Sequence, residues 1–135
     1  MPTLNPDDLK KRLVTELKKV NGDIESLPEI NYSNDFAKPF IELDEHGYNY
    51  VCRERGEEIF RKMPFDIDEL LYEVFDNLTF EMATKWEFEN RNENEDFRLQ
   101  LFAKQVDLMT TINADFGQRI NNKLQRILKF QPLTS

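Results

Sequence analysis

Hydrophobic residues near the start of the chain recur at the spacing of an amphipathic helix. Four of them follow one another in steps of four, four and three residues, namely Leu9, Leu13, Leu17 and Val20. This spacing places them on one helix face. Asn5 is suited to be the N-cap and Pro6 to occupy the first helical position. We therefore predict a first helix that begins after Asn5 and ends at Gly22.

The next part of the chain loses this period and then alternates. Residues 22–38 predict a loop in which Tyr32 and Phe36 anchor to the core. Residues 40–43 resemble a short strand, and 44–47 supply a turn in which Gly47 is suited to positive φ. Residues 48–54 alternate as a returning strand, and 58–63 predict a third strand of a meander.

The second half of the chain returns to helical spacing. Asp66 with Glu69 has the spacing of a capping box, and the helix that it starts is expected to reach about Arg91. Residues 90–95 contain no apolar side chain, which predicts a turn between antiparallel helices. A further stripe starts at Phe97. If this helix were unbroken to Lys129 it would be about 50 Å long, so we expect a break near residues 114–117.

These elements predict one α+β domain over residues 1–135. We expect a small antiparallel β-meander of two to three strands, packed with an N-terminal helix and two to three longer C-terminal helices. A length of 135 residues is typical of a single domain.

Charge narrows the choice of partner. The chain holds 26 acidic and 18 basic side chains, a net charge of -8, which disfavours nucleic acid as a partner because phosphate binding depends on Lys and Arg. A negative field instead speeds the encounter with a basic protein surface. On charge alone, acidity that serves solubility is the preferred interpretation.

Residues with metal or nucleophile chemistry are few. Cys52 is the only cysteine, so no intrachain disulfide is expected, and its place in a predicted strand favours a small buried hydrophobe. His46 is the only histidine and falls in the predicted turn, facing solvent. With one residue of each type, we expect no zinc site and no cofactor.

The predicted middle helix is rich in carboxylates, which are Glu69, Glu73, Glu81, Glu87 and Glu89. Bundles that hold two metals with such groups also use Glu-x-x-His pairs, and none occurs here. A solvated acidic face is the preferred interpretation, and we expect no catalysis. Two carboxylates that meet in space and act as acid and base remain an alternative.

No apolar run approaches the roughly 20 residues that span a bilayer. Residues 1–8 also lack the basic start and apolar stretch of a signal peptide. We therefore expect a cytoplasmic protein that does not act on membranes.

Several strings of residues resemble one family when they are taken in order. They are Tyr32 to Ala37, Pro39 to Glu42, Tyr50 to Glu57, Asp68 to Phe75, Thr79 to Ala83, Trp86-Glu87, Asn90-Arg91, Asp96 to Arg98 and Leu101 to Gln105. Together they resemble the Immunity protein 63 family of bacterial polymorphic toxin systems. The resemblance runs from about Tyr32 to about Ile112, and one departure is Leu99, where a second basic residue is expected after Arg98.

The resemblance implies a small cytosolic antidote without catalytic activity. Such a protein holds a cognate toxin domain inactive by tight stoichiometric binding, and we expect it to be a monomer or a weak homodimer. A homo-oligomeric module that buries the stripe from Phe116 to Phe130 against its own copy is the alternative.

Six residues are candidates for contact with the partner, namely Tyr50, Arg55, Glu87, Arg91, Asp96 and Arg98. The last four cluster around the predicted helical turn, and Arg55 is placed to pair with Glu87 or Asp96. An intramolecular ion network that fixes the helix pair against the sheet is the preferred interpretation for this cluster, with contact to the partner as the alternative.

Overall fold

The computed structural model describes residues 3–33 and 35–132. Within them lie four α-helices and three strands in the order α1 (Pro6–Lys18), β1 (Phe40–Asp44), β2 (Gly47–Glu54), β3 (Glu57–Lys62), α2 (Ile67–Glu89), α3 (Phe97–Ile112) and α4 (Ala114–Phe130), with a short 3-10 helix at Ile24–Ser26. The predicted α+β class is confirmed, including the third strand. Asn34, in the predicted loop, and Met1 and Pro2, in the segment examined for a signal peptide, lie outside the described residues.

The chain forms two compact units. Unit 1 comprises Met1–Lys18 and Asp23–Val74, and unit 2 comprises Lys19–Gly22 and Phe75–Ser135. Helix α2 contributes its first turns to unit 1 and the remainder to unit 2. One domain over the whole chain stays a prediction.

Helix α1 begins as its sequence predicts and ends earlier. The Asn5 side chain accepts a hydrogen bond from the Asp8 backbone N–H at 2.8 Å, as an N-cap does. The helix stops at Lys18, before the expected Gly22. The reason lies at Asn21, whose φ of 55° is left-handed, a conformation that Asn tolerates and that no helix continues through.

The sheet is antiparallel in the order β1-β2-β3. Its register pairs Phe40 with Val51 in the first hairpin and Cys52 with Phe60 in the second. Between Cys52 and Arg53 the register shifts, so Ile59 is the extra residue of a β-bulge. The outer side of β1 is covered by residues 29–31 through backbone hydrogen bonds to Ile41.

Two aromatic side chains of the loop before the sheet do not anchor to the core, contrary to the prediction. Tyr32 is 61% exposed and Phe36 is 83% exposed. The loop is instead fixed by its backbone, which pairs with the strands. The burial predicted from their apolar character is therefore wrong for both residues.

A partly buried polar network connects the helices of unit 2. Gln105, on α3, donates to the Asp76 carbonyl at 2.9 Å and to its carboxylate at 3.1 Å. Lys123, on α4, reaches the other oxygen of that carboxylate at 2.7 Å. Asp76, on α2, is therefore bonded to both α3 and α4.

Helices α3 and α4 are separated by a single residue, Asn113. Its N–H donates to the Met109 carbonyl and closes α3, while its side chain accepts from the N–H groups of Asp115 and Phe116 and opens α4. The break predicted near residues 114–117 therefore lies at Asn113. Gly117 is inside α4, where it faces Thr110 of α3 at very short range.

Candidate protein-binding surfaces

The six predicted contact residues fall into two groups. Tyr50 and Arg55 belong to strand β2 and its turn, in unit 1. The other four, Glu87, Arg91, Asp96 and Arg98, surround the turn between α2 and α3, in unit 2.

Glu87 and Arg91 form a bidentate ion pair across the end of α2. Arg91 Nε donates to Glu87 Oε2 at 3.0 Å, and Nη2 donates to Oε1 at 2.7 Å. The Glu87 side chain is only 3% exposed. These hydrogen bonds lower the pKa of Glu87 and raise the pKa of Arg91. The guanidinium also lies 5.7 Å from the centre of the Phe88 ring.

Asp96 and Arg98 begin helix α3 and reach the end of α4. The Asp96 side chain accepts from the Arg98 N–H at 3.0 Å as an N-cap, and Arg98 Nη2 lies 2.9 Å from Asp96 Oδ2. The same guanidinium donates to the carbonyls of Gln131 at 2.7 Å and Pro132 at 2.9 Å. Arg98 therefore caps α4 with positive charge at the negative end of its dipole.

Three of the four predicted residues, Arg91, Asp96 and Arg98, line a shallow depression of about 650 Å³. Its rim carries both signs of charge, and its lining is formed by Arg91, Asn92, Glu93, Glu95, Asp96, Phe97, Arg98 and Gln131. Because Arg91 and Arg98 each have a carboxylate partner inside the chain, the structure brings the four predicted residues together as two local ion pairs. Their contact with a partner stays a prediction.

Tyr50 lies in the central strand and is buried. Its side chain is 3% exposed, and its ring centre lies 5.9 Å from that of Phe60. In this structure its side chain offers almost no surface to a partner. Its contact with a partner stays a prediction. The observed geometry shows a side chain that packs against the neighbouring strand.

Arg55 is at the tip of the β2–β3 hairpin and is exposed. Arg55 has φ of 53° and Gly56 has φ of 79°. Positive φ at both central residues identifies a type I′ turn, for which Asn-Gly is preferred and Arg is unusual. The carboxylates proposed for Arg55 pair elsewhere, Glu87 with Arg91 and Asp96 with Arg98. Within the described part of the chain, Arg55 forms no ion pair.

Sequence reasoning missed Phe36 as a surface residue. It is held beside the end of β2 by an antiparallel bridge to Glu54, with Asp35 and Ala37 on either side at φ of 60° and 65°. No local sequence signal marks left-handed backbone at Ala37, since Ala has no side-chain group to compensate for it. The pairing that exposes Phe36 joins residues far apart in the chain.

Cys52 lies in a strand and His46 lies in a turn. Cys52 is buried, as predicted, and its Sγ donates to the Ala37 carbonyl at 3.2 Å. Burial raises the pKa of its thiol, which disfavours the reactive thiolate. His46 is exposed in the turn, as predicted. Hydrogen bonds from the His46 backbone and from Asn49 lower the pKa of Asp44.

Residues 3–33 and 35–132 contain neither a metal-binding cluster nor a membrane-spanning helix. No group of three His, Cys, Asp or Glu side chains in them is arranged to hold a metal ion. None of their helices has both the length and the apolar character needed to cross a bilayer.

A known protein family matches the part of the chain that contains both candidate groups. Residues 44–126 match the model of the family described as Immunity protein 63. The chain belongs to that family. The match covers more than half of the chain and includes β2, β3, α2 and α3 together with most of α4. It starts after the Tyr32 end of the resemblance seen in the sequence and extends beyond Ile112. No curated protein and no solved structure matches.

For this Immunity protein 63 member, both groups of candidate residues lie within the matched region. Tyr50, Arg55 and the four residues of the helical turn are all between residues 44 and 126. Phe36 and the segment that covers the edge of β1 lie before it. The matched region therefore includes the six predicted residues and excludes the Phe36 loop.

Proposed function

We propose that this Immunity protein 63 family member binds a cognate bacterial toxin domain and blocks it by occlusion, without turnover. The observation that carries the proposal is the family match over residues 44–126. We further propose that it acts in the cytoplasm as one part of a polymorphic toxin system, and that it is a monomer or a weak homodimer.

The distribution of charge supports binding to a basic partner. Unit 1 holds 17 acidic and 9 basic side chains, whereas unit 2 holds 9 of each. The whole net charge of -8 therefore belongs to unit 1. Such a field accelerates encounter with a positively charged domain, most strongly at low ionic strength.

Exposed aromatic side chains supply the second requirement of a tight interface. Five phenylalanines in the described residues are more than half exposed, namely Phe36, Phe65, Phe88, Phe97 and Phe130. Aromatic anchors contribute a large share of interface energy. Protection of a cell requires nanomolar or tighter affinity, which corresponds to about 12 kcal/mol.

The two rival functions find less support. A homo-oligomer through the last helix requires an apolar stripe that faces outward, but Phe116, Ile120 and Leu124 are buried within the chain. A carboxylate enzyme requires a carboxyl with a raised pKa in a cleft. The pKa values of Asp44 and Glu87 are both lowered by their hydrogen bonds.

The decisive experiment pairs the chain with the toxin domain encoded by the adjacent gene. Coexpression is expected to restore growth of cells that make the toxin, and calorimetry on a catalytically inactive toxin is expected to give a 1:1 complex with nanomolar Kd. Toxin released from the complex by denaturation should have an unchanged mass, since no bond is broken. A toxin from an unrelated system is the control for specificity. Cell death despite equal expression of both chains would refute the proposal.

A further inference from the structure

We infer that the end of the β2–β3 hairpin, with Phe36 as its anchor, is the surface that docks a basic face of the toxin domain. The inference rests on the proposed function and assigns a place to it. The surface consists of Phe36, Glu54, Arg55 and Glu57, and it is called the hairpin-end surface below.

Phe36 is presented by a fixed backbone. The Ala37 N–H donates to the Arg53 carbonyl at 2.8 Å, and the Arg55 N–H donates to the Asp35 carbonyl at 3.2 Å. The Gly56 N–H also donates to the Asp35 carboxylate at 2.7 Å. Hydrogen bonds on both sides of Phe36 therefore hold its backbone, so little backbone entropy remains to be lost on binding.

The register places the anchor beside two carboxylates. Phe36 is the antiparallel partner of Glu54, and Glu54 is the partner of Glu57. Directly opposed residues in antiparallel strands project from the same face. An aromatic ring and two carboxylates thus form one row across the end of the sheet.

The two carboxylates identify the chemistry of the partner. Glu54 and Glu57 are exposed, and neither forms an ion pair within the described part of the chain. Like charges directly opposite each other destabilise a strand pair. A Lys or Arg from a partner that lies between them would remove this repulsion while Phe36 enters an apolar pocket. The preferred occupant is therefore a basic protein face with an apolar cavity.

Backbone conformation at this surface is costly in three places. Asp35, Ala37 and Arg55 all have positive φ without being glycine. Such residues are uncommon and cluster at ligand clamps and other functional positions. Their convergence on one end of the sheet is an observation independent of the charge argument.

The experiment compares two equally exposed phenylalanines. Phe36→Ala and Phe130→Ala remove rings that are 83% and 80% exposed, so both variants should fold with an unchanged melting temperature. Phe130 lies at the end of α4 in the electrically neutral unit 2. We expect Phe36→Ala to raise the Kd for the inactive toxin domain at least about 30-fold, and Phe130→Ala to change it less than about threefold.

A charge variant tests the second part of the inference. The double substitution Glu54→Gln and Glu57→Gln should slow association several-fold at low salt and flatten its dependence on ionic strength, because steering acts on the on-rate. Glu81→Gln with Glu89→Gln, at two exposed positions of α2, removes the same charge elsewhere and should slow association less than the hairpin-end pair does.

The outcomes separate the two proposals. If the wild-type chain binds and Phe36→Ala binds equally well, the hairpin-end inference is wrong and the proposed function stands. If the wild-type chain does not bind the toxin domain, the proposed function fails, and this inference fails with it. Self-association of the wild-type chain that Phe36→Ala abolishes would assign the surface to a second copy and overturn the inference.

Discussion

Gly117→Ala sets two physical effects of opposite sign against each other. In an ordinary helix interior, Ala is more stable than Gly by about 1 kcal/mol. Here an added Cβ would collide with Thr110 Oγ1 and would lie 2.8 Å from both Cα and Cβ of Thr110. Carbon atoms in optimal contact are separated by about 3.5 to 4.0 Å. The two helix backbones must therefore move apart.

The size of the effect follows from which atoms collide. Overpacking of a core typically costs about 1 to 3 kcal/mol, and the upper value applies here because the Thr110 Cα belongs to the backbone and has no rotamer that avoids the clash. Subtracting the gain in helix propensity leaves a destabilisation of about 2 kcal/mol. With a urea m-value of about 2 kcal/mol/M, the unfolding midpoint should fall by about 1 M.

The assay is urea unfolding followed by far-UV circular dichroism. Thr110→Ala removes the closest colliding atom and leaves the 2.8 Å contacts, so combined with Gly117→Ala it should recover part of the loss, with a coupling energy above about 0.5 kcal/mol. Thr111→Ala is the matched control, because Thr111 makes the same kind of bond to the carbonyl four residues earlier. A Gly117→Ala variant more stable than the wild type would refute the close approach of α3 and α4.

Three other substitutions test local features. Asn113→Ala removes the acceptor for two N–H groups at the start of α4 and should cost about 1 kcal/mol in urea unfolding, whereas Asn113→Asp should cost much less. Arg55→Asn creates the preferred type I′ turn and should stabilise the fold by about 0.5 kcal/mol, and a loss of stability would contradict the turn assignment. The pKa of Glu87 is lowered in the folded state, so its contribution to stability is present above the unfolded pKa and is lost as pH falls through the folded pKa. Glu87→Gln should therefore flatten the acid limb of the stability profile, and an unaltered limb would contradict the pairing with Arg91.

Helix starts were readable from the sequence because their signals are local. Asn5 and Asp66 each accept a hydrogen bond from the N–H three residues later, as their residue types and positions predicted. The ion pair of Glu87 with Arg91 has the i, i+4 spacing that a helix brings together. In contrast, Arg98 contacts carbonyls more than 30 residues away, and no spacing rule reaches that far.

Aromatic positions were less predictable, because apolar character does not determine burial. Phe36 resembles a core anchor in sequence, yet its backbone pairing turns it outward. In β3, the bulge at Ile59 breaks the alternation that marks a strand, so residues 58–63 lack the alternation seen over residues 48–54. The helix break expected near residues 114–117 lies at Asn113. Gly117 is inside α4, where the close approach of the Thr110 backbone leaves no room for a Cβ.

The two groups of candidate contacts differ in what a partner must disrupt. Arg91 is bonded to Glu87 by two hydrogen bonds, and Arg98 is bonded to a carboxylate and two carbonyls. A toxin that recruited either guanidinium would first lose these charge-assisted bonds, and Glu87, which is almost fully buried, would be left without its cation, a costly state. Arg55 forms no ion pair within the described residues, and the Phe36 side chain is already exposed. Binding at the hairpin end therefore breaks no ion pair of Arg55, so Arg91→Ala should lower the stability of the free chain more than it lowers its affinity for the toxin.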